Sequence, residues 1–242
     1  MKASLFVTCI VDSFYPEVGE SMFKILKKYG VSLNLPLEQT CCGQPAFNSG
    51  YWDDAREVAK TLFKAFENSD YVISPSGSCV AMLHHSFPQL FEDDKQYQPK
   101  VQALADKTYE FTQFLVDVLG VEDLGAEVNA KVTYHPSCHA TRILGVKDSA
   151  LKLLHHVKGL EYVELPNSGD CCGFGGTFAV KMAAVSEEMV EDKVQNILKS
   201  GAEIVTGVDL GCLMNIGGRL EHQGHKVRAV HIAQLLAEGM KL

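Results

Sequence analysis

No stretch of this 242-residue chain approaches the roughly 20 consecutive apolar residues that a membrane-crossing helix needs. Positive charge is scarce: 22 Lys and Arg stand against 30 Asp and Glu, for a net charge of −8, and the basic residues do not cluster. A nucleic-acid or anionic-membrane surface is therefore not expected. Phosphate-binding loops are missing as well. There is no Walker motif, and Gly173-Phe174-Gly175-Gly176 is not a dinucleotide fingerprint, because Phe178 stands where its last glycine belongs. Cys-x-x-Cys is absent, and with it the short knuckles usual for zinc and the C-x2-C-x2-C-x3-C-P run of bacterial ferredoxins. The opening MKASLFVTCIVDS carries one Lys and a short apolar run broken by Asp12, so it reads as a first strand rather than a signal peptide. A cytoplasmic chain is the expectation.

What the chain does have is cysteine: Cys9, Cys41, Cys42, Cys79, Cys138, Cys171, Cys172 and Cys212. In a reducing compartment a disulfide framework is not expected, and grouped thiols point to metal or redox chemistry. The spacing is C-x31-CC-x36-C in the first half and C-x32-CC-x39-C in the second. The text between repeats too. LFVTC at 5–9 echoes VTYHPSC at 132–138, and VSLNLPLEQTCCG at 31–43 echoes LEYVELPNSGDCCG at 160–173. EVAKTLFKAFENSDYVISPSGSC at 57–79 matches EMVEDKVQNILKSGAEIVTGVDLGC at 188–212, and EFTQFL at 110–115 matches HIAQLL at 231–236. This is an internal duplication, dividing the chain into 1–125 and 126–242.

Periodicity assigns the elements. Ala55, Val58, Ala59, Leu62, Phe63 and Phe66 recur at helical spacing, as do Val18, Met22, Ile25, Leu26 and Tyr29 before Gly30. Met189, Val190, Val194, Ile197 and Leu198 make a matching helix that Gly201 ends. Short β-rich runs lie between: SLFVT, VSLNL and YVIS in the first copy, KVTY, EYVEL and EIVTGV in the second. Alternation of this kind predicts an α/β protein of two tandem, pseudo-twofold-related βαβ domains with mainly parallel sheets. Each cysteine group follows a predicted strand. Ligands of open α/β sheets gather at the carboxyl ends of the strands, so four thiols should converge in each copy.

Three chemistries compete for such a set: zinc, a redox disulfide, and an iron–sulfur cluster, whose thiolate ligands can be far apart in sequence. The vicinal pair adds a constraint. Neighbouring side chains in extended backbone point to opposite sides, so both thiols reach one site only if the chain turns, which Gly43 and Gly173 permit.

The stretches FVTCIVDSFYPEVG, LEQTCCGQPAFNSGY, SPSGSCVAMLHH, YHPSCHATRILG, DCCGFGGTFAVK and GCLMNIGGRL span nearly the whole chain. In them the sequence resembles the cysteine-rich CCG domain family. That family includes the CCG-bearing subunit of heterodisulfide reductase and iron–sulfur subunits of glycolate and anaerobic glycerol-3-phosphate oxidation. Its short members serve multi-protein L-lactate oxidation. The resemblance implies an oxidoreductase subunit of such a system, with L-lactate as substrate of the complex, other subunits as partners, and all eight cysteines holding iron–sulfur cluster(s) of the [4Fe-4S] kind. The full family pattern ends in C-x-x-C, giving five cysteines that hold a noncubane cluster. Here Ser76 and Asp209 replace the first of that pair. A four-thiolate cluster, a cluster in one copy only, and zinc remain open, with Asp209 a candidate oxygen ligand. The alternatives in function are a thiol–disulfide reductase subunit and a zinc-stabilised scaffold.

Other residues carry weaker signals. His135 and His139 flank Cys138 and are candidates for ligands or proton carriers, although a strand-end histidine ordinarily hydrogen-bonds its loop. Arg142 suits either a carboxylate substrate or a surface ion pair. His84-His85 and His155-His156 fall on helices and read as surface. No catalytic base stands out, and no flavin or nicotinamide site is recognisable.

Overall fold

The computed structural model describes residues 1–242. Each copy folds into one four-stranded, wholly parallel sheet. In the first, β1 (Lys2–Leu5), β2 (Ser32–Asn34), β3 (Val72–Ser74) and β4 (Thr108–Glu110) lie in the order β2-β1-β3-β4. In the second, β5 (Glu127–His135), β6 (Lys158–Tyr162), β7 (Ile204–Gly207) and β8 (Arg228–His231) lie in the order β6-β5-β7-β8. The two orders are the same once the strands of each copy are counted from its own start, as a duplication requires. No helix is long and apolar enough to cross a membrane.

The expected helices form where the apolar stripes lie. Helix α1 (Pro16–Lys28) begins on a proline, carries Lys27 and Lys28 in its last turn, and buries Val18, Met22, Ile25 and Leu26. Helix α2 (Trp52–Ala65) buries Ala55, Ala59, Leu62 and Phe63. Its partner in the second copy, α3 (Ala183–Ser200), ends at Gly201, whose φ of 71° is the left-handed cap conformation. Helices α4 (Leu210–His222) and α5 (Ile232–Met240) complete the second copy.

The fourth strand of each sheet had no signal of its own: β4 (Thr108–Glu110) and β8 (Arg228–His231) are short and mix polar with apolar residues. The echo EFTQFL/HIAQLL marks the turn from each of these strands into the next helix. Glu110 closes β4 and accepts from the backbone N–H of Thr112 at 2.8 Å and of Gln113 at 3.1 Å. His231 closes β8, and its Nδ1 accepts from the N–H of Ala233 at 3.2 Å. That fixes the other ring nitrogen as the protonated one. It donates to the carbonyl of Pro75, 2.8 Å away in the other copy.

The copies are not separate globules. One cluster of buried apolar residues runs through both, from Leu5, Val11 and Ile25 to Val132, Tyr134 and Leu236. Helix α1 packs on α5. Each copy keeps a smaller core of its own on the outer side, around Phe6, Leu62 and Phe66 in the first and Val194, Ile197 and Ile216 in the second. The seam is tight. The N–H of Gly77 donates to the carbonyl of Val208 at 3.1 Å, and a Cβ on Gly77 would stand 2.7 Å from that of Ala140.

Glu110 lies in this shared interior, and burial pushes its carboxyl up to about 7 from an ordinary 4.5. The folded chain then binds more protons than the unfolded chain between those values. Stability contributed by this group is full at low pH and falls as pH rises through about 7. Glu110→Gln should remove that slope, a difference on the order of 3 kcal/mol at its largest. Denaturant midpoints at about pH 5 and about pH 8 read it directly. The same pH dependence in both proteins would contradict the assignment.

Candidate functional site

The eight thiols gather into two sets of four at the carboxyl ends of the strands. None sits on a strand. Cys9 opens the helix Cys9–Phe14 after β1, and Cys79 lies in the first turn of the helix Gly77–Ala81 after β3. Cys41 and Cys42 close the loop that follows β2. In the second copy Cys138 follows β5, Cys171 and Cys172 close the loop after β6, and Cys212 lies in the first turn of α4. All eight are free.

Each vicinal pair is turned inward by the glycine behind it. Gly43 has φ +83° and Gly173 has φ +80°, in the left-handed region. The turn points the N–H of Gly43 at Cys41 Sγ (3.5 Å) and that of Gly173 at Cys171 Sγ (3.4 Å). Cys41 Sγ lies 3.7 Å from Cys9 Sγ. Cys42 and Cys79 are buried, as are Cys172 and Cys212, whereas Cys9, Cys41, Cys138 and Cys171 reach solvent. Each set is thus open on one side and sealed on the other.

Side chains from elsewhere hold the loops in place, and they differ between the copies. Gln39 accepts from the N–H of Val7 at 2.8 Å and donates to the carbonyl of Leu5 at 3.1 Å, which ties the first loop to the end of β1. In the second copy Arg142 donates to the carbonyl of Gly169, Lys193 to those of Asn167 and Ser168, and Asn215 to that of Cys172. Arg142 therefore anchors the loop that carries Cys171 and Cys172 and forms no ion pair with an acidic side chain.

The electrostatics single out one thiolate per set. Cys41 is held well below the ordinary thiol range because the S–H groups of Cys42 and Cys9 and the N–H of Gly43 donate to it. Cys171 is lowered in the same way by Cys138, Cys172 and Gly173. The donors are pushed up: Cys9, Cys42, Cys138 and Cys172 are better hydrogen-bond donors than acids, and burial adds to this. A set that carries its own anion and three further soft donors is suited to thiophilic metals.

Ser76 and Asp209 take the places of the absent fifth cysteines, and both are helix caps. Ser76 Oγ accepts from the N–H of Cys79 at 3.3 Å, and Asp209 Oδ1 from the N–H of Gly211 at 3.2 Å. The other carboxylate oxygen of Asp209 crosses the seam to the N–H of Ser78 at 2.8 Å and faces Ser76 Oγ at 3.4 Å. Asp209 thus joins the two copies, each of its carboxylate oxygens accepting from a backbone N–H. Beside that joint, a cavity of ≈ 300 Å³ is lined by the four thiols of the first copy and by Phe174 and Val180 of the second.

His139 is half-buried with Nδ1 3.5 Å from Cys138 Sγ. His135 behaves otherwise than a loop histidine. It is 2% exposed, neither ring nitrogen has a hydrogen-bond partner, and its ligand atom, Cys172 Sγ and Cys212 Sγ all lie within 4.8 Å of one another. Burial lowers it to about 3, so the ring is neutral. Position beside Cys138 was the only signal for it in the sequence. The residues of each set fit a thiolate-bound metal or cluster: the donors are soft, close together and backed by an unpartnered imidazole in the second copy.

A family model described as the cysteine-rich domain, CCG, matches residues 3–84 and again 132–217. The chain belongs to the CCG cysteine-rich domain family. Both matches carry one complete set of four thiols. The chain is 54% identical to lactate utilization protein A of Geobacillus kaustophilus (strain HTA426), over 98% of this chain and 98% of that one. It is 53% identical to the protein of that name from Bacillus subtilis (strain 168) and 52% identical to the one from Geobacillus sp. (strain WCH70), each over 98% of this chain and 99% of the relative. Among solved structures, an aspartate racemase homologue from Pyrococcus horikoshii OT3 aligns over 98% of this chain and 96% of its own at 13% identity, with a TM-score of 0.33, a likeness too weak to carry an argument.

The two CCG turns should tolerate change unequally. A Cβ at either glycine meets the left-handed penalty of about 1–2 kcal/mol. At Gly43 it would also press on Val58 Cγ1 at 3.3 Å, a side chain that can yield. At Gly173 it would stand 2.7 Å from the carbonyl oxygen of Ser186 and 3.0 Å from Met189 Cβ. Gly173→Ala is expected to lose more stability than Gly43→Ala, by about 1 kcal/mol or more in denaturant unfolding. Equal losses would show that α3 gives way at no cost.

Proposed function

We propose that this chain is the iron–sulfur subunit of a multi-protein cytoplasmic system that oxidises L-lactate to pyruvate, built of two CCG repeats at 1–125 and 126–242. The observation that carries the reading is the pair of four-thiol sets at adjoining sheet edges, in a chain similar over its length to proteins named lactate utilization protein A. Cys9, Cys41, Cys42 and Cys79 would hold one cluster of the [4Fe-4S] type, and Cys138, Cys171, Cys172 and Cys212 the other. Such a cluster supplies electron transfer, typically one electron at a time.

The protein's own groups prepare for that role. The glycine turns bring two thiols to one side, their N–H groups stabilise negative charge on Cys41 and Cys171, and the buried thiols shield the inner face from water. Converting lactate to pyruvate removes two electrons and two protons, and no dinucleotide motif offers them an exit. Partner subunits therefore complete the path. Exposed apolar side chains flank the cysteine segments: Phe14 after Cys9, Leu37 before Cys41, and Val180 and Met182 after Cys172. These suit a docking surface.

Anaerobic purification with iron, sulfide and zinc analysis tests the cofactor, and turnover tests the subunit role. The full chain is expected to hold iron and sulfide, and Cys171→Ser and Cys172→Ser to lose iron together with activity in the reconstituted complex. Alone, with L-lactate and an artificial acceptor, it should turn over far more slowly than the complex. Stoichiometric zinc without iron would overturn the cofactor reading; turnover by the lone chain at the full rate would overturn the subunit reading.

A further inference from the structure

The two thiol sets match position by position, but what lies beneath them does not. In the first sheet Ser4 pairs with Val72, and in the second Thr133 pairs with Val205, so Phe6 is the counterpart of His135. Phe6 is fully buried, with its ring edge-on to Phe66 at 5.5 Å. The helices differ in the same way. Gly43 approaches Ala55 and Val58 of α2 as Gly173 approaches Ser186 and Met189 of α3, so Leu62 is the counterpart of Lys193. Leu62 is fully buried, and so is Lys193 at 1% exposure. An apolar pair under the first set is thus an imidazole and an ammonium under the second.

The fold itself does not require this. The first copy shows that the same backbone accepts two hydrocarbons there. Burying a polar group without a partner carries its full desolvation penalty, and His135 leaves both ring nitrogens without one. A compensating partner is implied, and Cys172 Sγ and Cys212 Sγ lie within 4.8 Å of an imidazole nitrogen that could share one with them. One imidazole nitrogen with thiolates is a familiar donor set for iron and zinc. With all three donor atoms within 4.8 Å of one another, small side-chain rotations bring them onto one ion.

We propose that His135 ligates the metal centre of the second repeat through a ring nitrogen, alongside Cys172 and Cys212, so that the two repeats hold chemically different centres. The inference rests on the reading that the thiols bind metal. A neutral nitrogen donor makes the second centre less negative than an all-thiolate one, and the Lys193 ammonium, which lies within Coulombic reach of Cys171, Cys172 and Cys212, acts in the same direction. The second centre should therefore have the higher reduction potential and draw electrons from the first.

The test uses the full chain, reconstituted anaerobically with iron and sulfide, and in a parallel sample titrated with Co(II) alone. Pulsed EPR of the reduced protein is expected to show imidazole nitrogen coupling that changes when the histidines are labelled with 15N, which needs no variant. Redox titration should resolve two potentials. His135→Phe copies Phe6 and should retain the fold; it is expected to abolish the coupling, lower the upper potential toward the lower one, and weaken Co(II) binding at one site by about 10–100-fold. His135→Gln should do the same, and Phe6→Leu should do none of it. Metal bound without nitrogen coupling, coupling and potentials unchanged in His135→Phe, or coupling lost instead in His139→Ala would each overturn this proposal and leave the metal reading standing. A wild-type chain that takes up neither iron nor Co(II) would overturn both.

Discussion

Two consecutive side chains must face the same way, and most of the architecture around the sites depends on that demand. An extended chain would send Cys41 and Cys42 to opposite sides. The left-handed glycine behind each pair reverses the backbone at once, and the N–H it turns inward becomes a donor to the first sulfur. The bend admits no Cβ at Gly173, because α3 passes directly behind it. Sheet, loop and helix are therefore fixed relative to one another by the geometry of a three-residue turn.

The second dependence is between the copies. A duplicated βαβ unit could have given two beads on a string. The shared core excludes that, since burying α1 and α5 against each other gives both sheets their inner cover. The same packing brings the sheet edges together. Asp209 caps its own helix and the neighbouring one, and His231 reaches Pro75. Two thiol sets separated by about half the chain are joined through these few hydrogen bonds.

Duplication also leaves room for difference. The thiols were retained in both copies, while the residues under them diverged: Phe6 and Leu62 on one side, His135 and Lys193 on the other. The loops are tied by different means as well, by Gln39 in the first and by Arg142, Lys193 and Asn215 in the second. Equal thiols in unequal surroundings let two like sites differ in their properties.

The repeat, the α/β class, the main helices and the grouping of the cysteines were all legible in the sequence. Each rests on periodicity or spacing, which are properties of a line. So was the glycine turn, because only glycine adopts that φ without strain. Strands β4 and β8 were not, since Thr108-Tyr109-Glu110 and Arg228-Ala229-Val230-His231 mix polar with apolar residues, and they form beside a neighbour that offers them hydrogen bonds. The hydrogen bonds that make Asp209 a joint were invisible, because its partners lie 131 residues away in the chain, at Ser78, or in the backbone of its own helix. His135 had no sequence signal beyond its place before Cys138. That it is buried, unpartnered and close to Cys172 and Cys212 is decided by the packing of β5 against β7 and the loop after β6. A lone side chain states which bonds it can make; only tertiary structure determines which of them are left unmade.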